Sequence, residues 1–280
     1  MVISNPPKRK NDERVEILPH HLTILSVVFL ISASTIGSLL WNASRTPTDF
    51  PSAHLLYWQN YQGISLDLIT GERFAVDERQ SDTWLKHSPD GKWAARWSRD
   101  NECCDWSLHI YEGAAGPNRG FITRRGGGDL VSWMPDGEWF AFSALPEDSS
   151  HSSNDSDEEL YLANIDTHEI KQLTNNDVMD SGPSISPDGT KMAYTSANNG
   201  RNHLYIIDLA SGESRLLTSD VQGYNAVWSP DGAWLAFMSK CGSKDPMNPT
   251  HGSLWLIRAD GTGMQKIAER VNFVEPSWRP

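Results

Sequence analysis

An all-β fold is predicted for this chain: a β-propeller of about five four-stranded blades, closed by the C-terminal strand and preceded by one N-terminal transmembrane helix. The turn SPDG stands at 88–91, 186–189 and 229–232, and MPDG stands at 134–137. The Pro residues of these turns are 46, 52 and 43 residues apart, and a repeat of this length is typical of propeller blades. Each turn is followed by short apolar stretches that favour strands.

The predicted helix is the segment 22–41, LTILSVVFLISASTIGSLLW, which has no charged residue and is long enough to cross a bilayer. Basic side chains are concentrated before it, and only Arg45 follows closely. The positive-inside rule therefore predicts a single-pass protein of the cell membrane, with 1–21 as a cytoplasmic tail and the propeller periplasmic or extracellular. A cleaved signal peptide is the alternative. The polar, Pro-containing segment 42–53 is predicted to be a linker.

The repeat extends beyond the turn and predicts four strands in each unit, A to D in chain order. The stretches KWAARWS, EWFAFSA, KMAYTSA and AWLAFMS follow the four turns, and each unit then has two further short apolar stretches. An Ala always stands four residues after the Gly, where we expect close packing between blades. Two residues before the Pro stands a Trp, replaced by Ile185 and His87 in two units; His87 is predicted to pack in its place. The recurring residues are Ala95, Ala141, Ala193, Ala236, Trp133, Trp228 and Trp278.

The repeated turn itself is interpreted as structural. Pro fixes φ at the second turn position, Asp can accept hydrogen bonds from the following backbone, and Gly tolerates a positive φ. The turn therefore predicts a tight hairpin between strands A and B. The structural turn residues are Pro89, Asp90, Gly91, Pro135, Asp136, Gly137, Pro187, Asp188, Gly189, Pro230, Asp231 and Gly232.

The two ends of the repeat region complete each other. The stretch 54–76 offers strands B, C and D without a strand A, and 272–280 offers a strand A with nothing after it. Pairing them closes the ring and removes exposed sheet edges. The predicted propeller thus covers 54–280, with the other blades at about 79–127, 128–176, 177–220 and 221–271. A fragment of a longer propeller is the alternative.

The motifs WSPDGAWLAFMS (228–239), SPDGTKMAYTS (186–196), LYIIDLASGESRLLT (204–218) and the final PSWRP identify a resemblance. The region 54–280 resembles the TolB-like family of WD40-like Pro-Asp-Gly (PD40) propellers, named for the periplasmic protein of the Tol–Pal system. The resemblance implies a binding scaffold outside the cytoplasm. The same repeat occurs in the non-catalytic propellers of prolyl oligopeptidase and dipeptidyl peptidase relatives. Unlike TolB, this chain has a membrane segment in place of an N-terminal α/β domain, and five predicted blades in place of six.

Composition and motifs argue against several functions. The formal net charge of −12 disfavours nucleic-acid partners, since the phosphate backbone would repel the protein. The nine His show no HExxH or similar spacing, the three Cys form no CxxC pair, and neither a Walker A loop nor a GxSxG motif occurs. The sequence therefore predicts no catalytic residues, metal, cofactor or disulfide.

A protein or glycan partner is predicted at the face formed by the B–C and D–A loops, or at the channel mouth. The B–C loops look long and irregular at 98–107, 144–159, 196–203 and 239–253, whereas the Pro-Asp-Gly turns make the opposite face short and uniform. The candidate partner-binding residues are Asp129, Asp180, Tyr224, Asn225, Glu275, Asp155, Asp157 and Glu158. The last three belong to an acidic loop that is either a solvated surface or a site for a cationic partner or calcium.

Two other functions stay open. The propeller could be a non-catalytic accessory of a peptidase, or a divergent hydrolase or lyase with its site at the channel mouth. Clustered His and carboxylates at that mouth would favour an enzyme, while Trp, Ser and main chain would favour binding. A sensor that uses the cytoplasmic tail is the third possibility, although about twenty residues are too few to fold alone.

Overall fold

The structure is a computed structural model that describes residue 50 and residues 53–59, 62–76, 85–99, 106–113, 116–122, 131–146, 157–198, 200–240, 251–272 and 275–279. These residues belong to the compact unit Thr46–Pro280 and form strands joined by turns. None of the described residues builds an apolar helix of bilayer-spanning length. The predicted cytoplasmic tail, transmembrane segment 22–41 and most of the linker 42–53 lie outside the described residues.

Twenty strands in the described residues form five groups of four, which are the predicted blades. Blade I consists of β20 (Ser277–Arg279), β1 (His54–Gln59), β2 (Gln62–Asp67) and β3 (Arg73–Val76). Blade II consists of β4 (Leu85–His87), β5 (Trp93–Arg99), β6 (Trp106–Glu112) and β7 (Asn118–Ile122). Blade III consists of β8 (Ser132–Trp133), β9 (Trp139–Ala144), β10 (Glu159–Asn164) and β11 (Ile170–Gln172).

The last two blades follow the same order from the inner strand A to the outer strand D. Blade IV consists of β12 (Asp180–Ile185), β13 (Lys191–Asn198), β14 (Arg201–Asp208) and β15 (Ser214–Leu216). Blade V consists of β16 (Tyr224–Trp228), β17 (Trp234–Lys240), β18 (His251–Arg258) and β19 (Gln265–Asn272). All pairs within a blade are antiparallel, so each blade is a meander of hairpins.

Blade I is composite, as the sequence predicts. Strand β20 pairs with β1 in the register His54↔Arg279, Leu55↔Trp278 and Leu56↔Ser277, and β1 pairs along its whole length with β2. The pair Gln59↔Val271 also joins β1 to β19 of blade V. Closure of the first sheet by the C-terminal strand is therefore confirmed.

The core lies between adjacent blades. Blades II and III share one buried cluster, blades III and IV a second, and blades IV and V a third. Aromatic rings fill the wider parts, as where Phe142 stacks on Tyr161 with ring centroids 5.5 Å apart. The recurrent Ala95, Ala141, Ala193 and Ala236 are all fully buried, which fits the predicted packing position. Their small side chains allow neighbouring sheets to approach closely.

The repeated turns have the predicted geometry. In each turn the Gly has a φ between 69° and 73°, a region that favours glycine. The Gly N–H donates to the carbonyl three residues earlier, as Gly91 does to Ser88 at 2.9 Å. The Asp accepts from the N–H two residues later, as Asp188 does from Thr190 at 3.0 Å. These contacts make the hairpin rigid without a long loop.

One predicted loop is wrong. The interval 196–203 in blade IV was expected to be a long B–C loop, but Asn198 pairs directly with Arg201 and the ladder continues without a break to Asp208. Only two residues connect the strands, and Gly200 has a φ of 71°. The sequence Asn-Gly is the usual signal for such a two-residue hairpin, because both residues tolerate positive φ.

Candidate functional site

The inner strands of neighbouring blades are joined by indole hydrogen bonds. Trp133 Nε1 donates to the carbonyl of Lys86 at 3.0 Å, and Trp228 Nε1 donates to the carbonyl of Ser184 at 2.8 Å. Trp278 Nε1 donates to the carbonyl of Val227 at 3.1 Å. The recurrent Trp therefore links blades III to II, V to IV and I to V. In all three blades this Trp stands two residues before the recurrent Pro.

The two blades without this Trp use other contacts. The N–H of Ile185 donates to Ser132 Oγ at 2.9 Å and links blade IV to blade III. Lys86 forms an ion pair with Glu275, which precedes β20, and so links blade II to blade I. In the part of the chain that the structure describes, each of the five junctions between blades thus has a polar contact at the inner strands. We call these five contacts the inner girdle.

The inner strands surround a cavity of about 570 Å³. Its walls come from all five blades and are mainly Trp, Pro, Ser and aliphatic side chains. They include Trp133, Trp228, Trp278, Val131, Ile185, Val227 and Ser184. A volume of this size suits a small molecule or a few residues of a peptide.

The cavity reaches the face of the Pro-Asp-Gly turns. Pro89, Pro135 and Pro187 line it and are themselves exposed, so the mouth lies among these turns. The starts of β12 and β16, at the opposite end of the channel, do not line it. The sequence had indicated the loop face as the binding face, and the described cavity lies at the other end.

Charge in the described cavity wall is confined to one sector, at the junction of blades I and II. The charged or titratable side chains there are Lys86, Glu275 and His87. His87 is exposed instead of packed between blades, unlike the Trp of the other units. The wall lacks the clustered His and carboxylates that would favour catalysis. Its Trp, Ser and Pro residues favour binding.

The predicted partner-binding residues are dispersed. Glu275 lines the cavity. Asp157 is exposed and Glu158 is half-buried, both just before β10, while Asp129 and Asp155 lie outside the described residues. Tyr224 and Asn225 begin β16 and are half-buried. Tyr224 donates its hydroxyl hydrogen to Gln222 Oε1 at 3.2 Å, and burial raises the pKa of this phenol.

Asn225 stands at a kink of the inner strand that blade IV repeats. The register of β16 against β17 shifts between Tyr224 and Val227, and Asn225 has a φ of 51°. In blade IV the register shifts at the same place, and Gly182 has a φ of 61°. Both residues stand five positions before the turn Pro. Asn tolerates this left-handed region better than most residues, so Asn225 has a structural role.

Asp180 is fully buried, and so is its neighbour Glu159, which the sequence had placed in the acidic loop 144–159. Asn176 bridges them: its N–H donates to Glu159 Oε1 at 2.6 Å and its Nδ2 donates to Asp180 Oδ2 at 2.9 Å. Burial raises the pKa of both carboxyls, and their mutual repulsion raises that of Glu159 further. The other oxygen of each, Oε2 and Oδ1, has no hydrogen-bond partner among the described residues. The pair is a structural element below the surface.

A row of Asp, Ser and His crosses blade IV beside this pair. Asp180 lies opposite Ser196 on β13, and Ser196 lies opposite His203 on β14. A Ser-His-Asp triad needs the His between the other two, and here the Ser occupies that place. Within the described ranges, no three His, Cys, Asp or Glu side chains converge as metal ligands.

The linker residue Phe50 lies at the turn face of blade V. Its ring centroid is 5.3 Å from that of Trp234, which stands two residues after the turn at 229–232. Strand β1 begins four residues later and runs away from this face. Phe50 and the start of β1 therefore both lie on the side where the cavity opens.

Comparisons with known proteins agree with this architecture. The family model described as TolB beta propeller domain matches residues 131–280, more than half of the chain. The chain is 32% identical over 112 residues to the Protein TolB homolog of Chlorobaculum tepidum, covering 40% of this chain and 24% of that protein. It is 32% identical over 97 residues to the Tol-Pal system protein TolB of Anaeromyxobacter dehalogenans, covering 34% and 21%. The match spans about a quarter of these relatives' length or less.

A solved structure gives the same fold at low sequence identity. The TolB structure from Agrobacterium tumefaciens superposes with a TM-score of 0.56 at 18% identity, over 84% of this chain and 86% of that one. This similarity extends the propeller assignment to the N-terminal blades, which the family model does not reach.

Proposed function

We propose that this chain, which belongs to the TolB beta propeller domain family, is a membrane-anchored, non-catalytic scaffold that holds a segment of a partner protein in its central cavity. The observation that favours this function most is the cavity itself. Its wall is built from Trp, Pro and Ser of five blades, with charge in one sector. Such a wall supplies apolar surface and a few fixed polar groups, which suits recognition.

Membrane anchoring is proposed from the sequence. The uncharged segment 22–41 and the basic residues before it support an anchor with the propeller outside the cytoplasm, in the periplasm or at the cell surface. A curated relative is named as a Tol-Pal system protein, and by analogy a protein partner in the cell envelope suits this chain.

A catalytic function is less well supported. The Asp180–Ser196–His203 row has the wrong order for a triad. The ionisable groups of the cavity are one ion pair and an exposed His. An accessory role beside a separate peptidase would still need a bound protein, so it is a special case of the proposed scaffold.

Site-specific photo-crosslinking in cells tests the proposal. A benzophenone amino acid at Ser277, in the cavity wall, should give one discrete adduct in the full-length protein. The same probe at Asn198, exposed at the other end of blade IV, should give none. Ser184→Phe, which narrows the cavity, should abolish the Ser277 adduct while the melting temperature is kept. Adducts from Asn198 alone would overturn the cavity assignment in favour of the loop face.

A further inference from the structure

We propose that the partner segment in the cavity is cationic, an inference that rests on the proposed function. The segment carries Lys or Arg beside Pro or aromatic residues, and the turn carboxylates at the mouth recognise its basic side chains. The relevant turns are those whose Pro lines the cavity, at 89–91, 135–137 and 187–189. We call these three turns the turn ring.

The turn ring is contiguous. A Cβ placed on Gly137 would lie 3.5 Å from the Asp90 carboxylate of the preceding blade. A Cβ on Gly189 would lie 3.1 Å from Pro135 Cδ. Each turn therefore packs against the next. The absence of a side chain at the Gly lets the turns approach, and the mouth of the cavity has a continuous rim.

Hydrogen bonds hold the carboxylates of the turn ring in place. Asp90 and Asp188 accept from the Ser two residues earlier, at 2.5 and 2.6 Å. Asp136, which lacks this Ser, accepts from the N–H of Glu138 at 2.9 Å. In all three, the hydrogen bonds from described residues go to Oδ1. The hydrogen bond from the Ser186 hydroxyl has the largest effect on Asp188 and that from the Thr190 N–H the next largest, and they lower the pKa of Asp188 to about 2.

Two Lys side chains of the same turns lie near these carboxylates but form no ion pair with them among the described residues. Lys92 Nζ lies over the Trp93 ring at 5.1 Å from its centroid, and Lys191 Nζ hydrogen-bonds to the Thr190 hydroxyl at 3.2 Å. The turn of Asp136 has no Lys and contributes a second carboxylate, Glu138. The three turns thus carry four carboxylates and two ammonium groups, and a cationic segment would be attracted to the rim.

The cavity wall behind the rim favours Pro or aromatic residues in the partner segment. Pro89, Pro135 and Pro187 at the mouth and the Trp residues of the inner girdle present flat apolar surfaces. Pro and aromatic side chains of an extended peptide pack well on such surfaces, with little loss of conformational freedom. A basic side chain flanking them would then meet the turn ring.

Peptide titration with charge variants tests this inference on the full-length protein in detergent. The probes are three blocked, fluorescein-labelled hexapeptides, Lys-Pro-Trp-Lys-Pro-Trp and its Gln and Glu analogues, followed by fluorescence anisotropy. Asp→Asn changes at residues 90, 136 and 188 remove the turn-ring charges and keep the Oδ1 acceptor. An Asn side chain can fill the same acceptor role, as Asn164 does in a C–D turn, where its Oδ1 accepts from the N–H groups of Asp166 and Thr167 at 3.0 and 2.8 Å.

A matched control removes three charges from the outer turns of the same face. Asp67, Asp208 and Asp260 accept the same kind of backbone hydrogen bonds in C–D turns, and no described residue of these turns lines the cavity, whereas the Pro beside each turn-ring Asp does. These C–D turns hydrogen-bond to the segments that follow the Pro-Asp-Gly turns, as Leu209 N–H does to the Thr190 carbonyl at 3.0 Å. The triple Asp→Asn variant of this set removes the same number of negative charges as the turn-ring variant.

The expected result is that the Lys peptide binds best and that the turn-ring variant weakens it roughly tenfold, as three exposed charge pairs would. The outer-turn variant should weaken it less than about twofold. Equal weakening by both variants would show a general attraction to an acidic protein and overturn the inference. Equal binding of all three peptides, lost in Ser184→Phe, would overturn the charge preference but leave the proposed function intact.

Discussion

Replacing Trp228 by Phe tests whether the inner girdle stabilises the ring. The indole is nearly buried between blades IV and V, and its Nε1 lies 2.8 Å from the carbonyl oxygen of Ser184. Phe keeps an aromatic ring at this position but cannot donate a hydrogen bond. The substitution therefore removes one polar link of the girdle with little change in shape.

The expected cost has two parts. The carbonyl of Ser184 loses its indole donor in a partly buried position, which costs about 1–3 kcal/mol. The smaller ring buries less apolar surface, which costs about 1 kcal/mol. We expect the free energy of unfolding to fall by about 2–4 kcal/mol, a large share of the ~5–15 kcal/mol that stabilises a typical domain.

Urea unfolding of the full-length protein in detergent, followed by circular dichroism near 218 nm, measures this change. Trp139→Phe is the matched control: this indole is half-buried and lies beneath Lys171, whose Nζ is 4.3 Å from the ring centroid. The control should lose about 1 kcal/mol or less. Equal losses in the two variants, or a loss below about 1 kcal/mol at Trp228, would refute the assignment of a stabilising role to the girdle hydrogen bond.

Three further predictions concern the inner strands and the buried acids. Asn225→Gly should leave the free energy of unfolding unchanged or raise it by up to about 1 kcal/mol, because Gly182 adopts the same left-handed conformation in blade IV. Asn225→Ala should lower it by about 1 kcal/mol. Urea unfolding measures both changes. Burial raises the pKa of Glu159 in the folded state, so the folded state loses stability as pH rises above the unfolded pKa near 4. Glu159→Gln should therefore raise the melting temperature by about 2–4 °C at pH 8 and change it little at pH 4. An equal gain at both pH values would contradict this prediction. Glu275→Gln should lower stability by about 1 kcal/mol in low salt through its ion pair with Lys86, and the difference from wild type should shrink in 0.5 M NaCl.

The repeat made the blade architecture predictable from sequence. The Pro-Asp-Gly spacing, the constant small residue exemplified by Ala95, and the unmatched strands at 54–76 and 272–280 each correspond to a structural feature. These are local signals, since turn chemistry and strand alternation depend on neighbouring residues. Alignment on the turn would also have found the shared kink at Gly182 and Asn225.

The site was less predictable because it depends on distances between blades. No local pattern shows at which end a channel is wide, so the cavity at the turn face was not anticipated. Asp180 was predicted to open a strand A and to bind a partner, but it is buried because Asn176 folds back over it and over Glu159. The hairpin at Gly200 was missed although its Asn-Gly signal is present in the sequence.

The composite blade has a mechanical consequence. Strand β1 has β20 on one side and β2 on the other, with a further pair to β19 at its far end. A pulling force applied to the chain at Ala53 acts along β1, parallel to its neighbours, and loads these ladders in shear. Several hydrogen bonds must then break together instead of one after another. A protein held by its N-terminal linker would resist tension at the strand where the ring would otherwise be easiest to unzip.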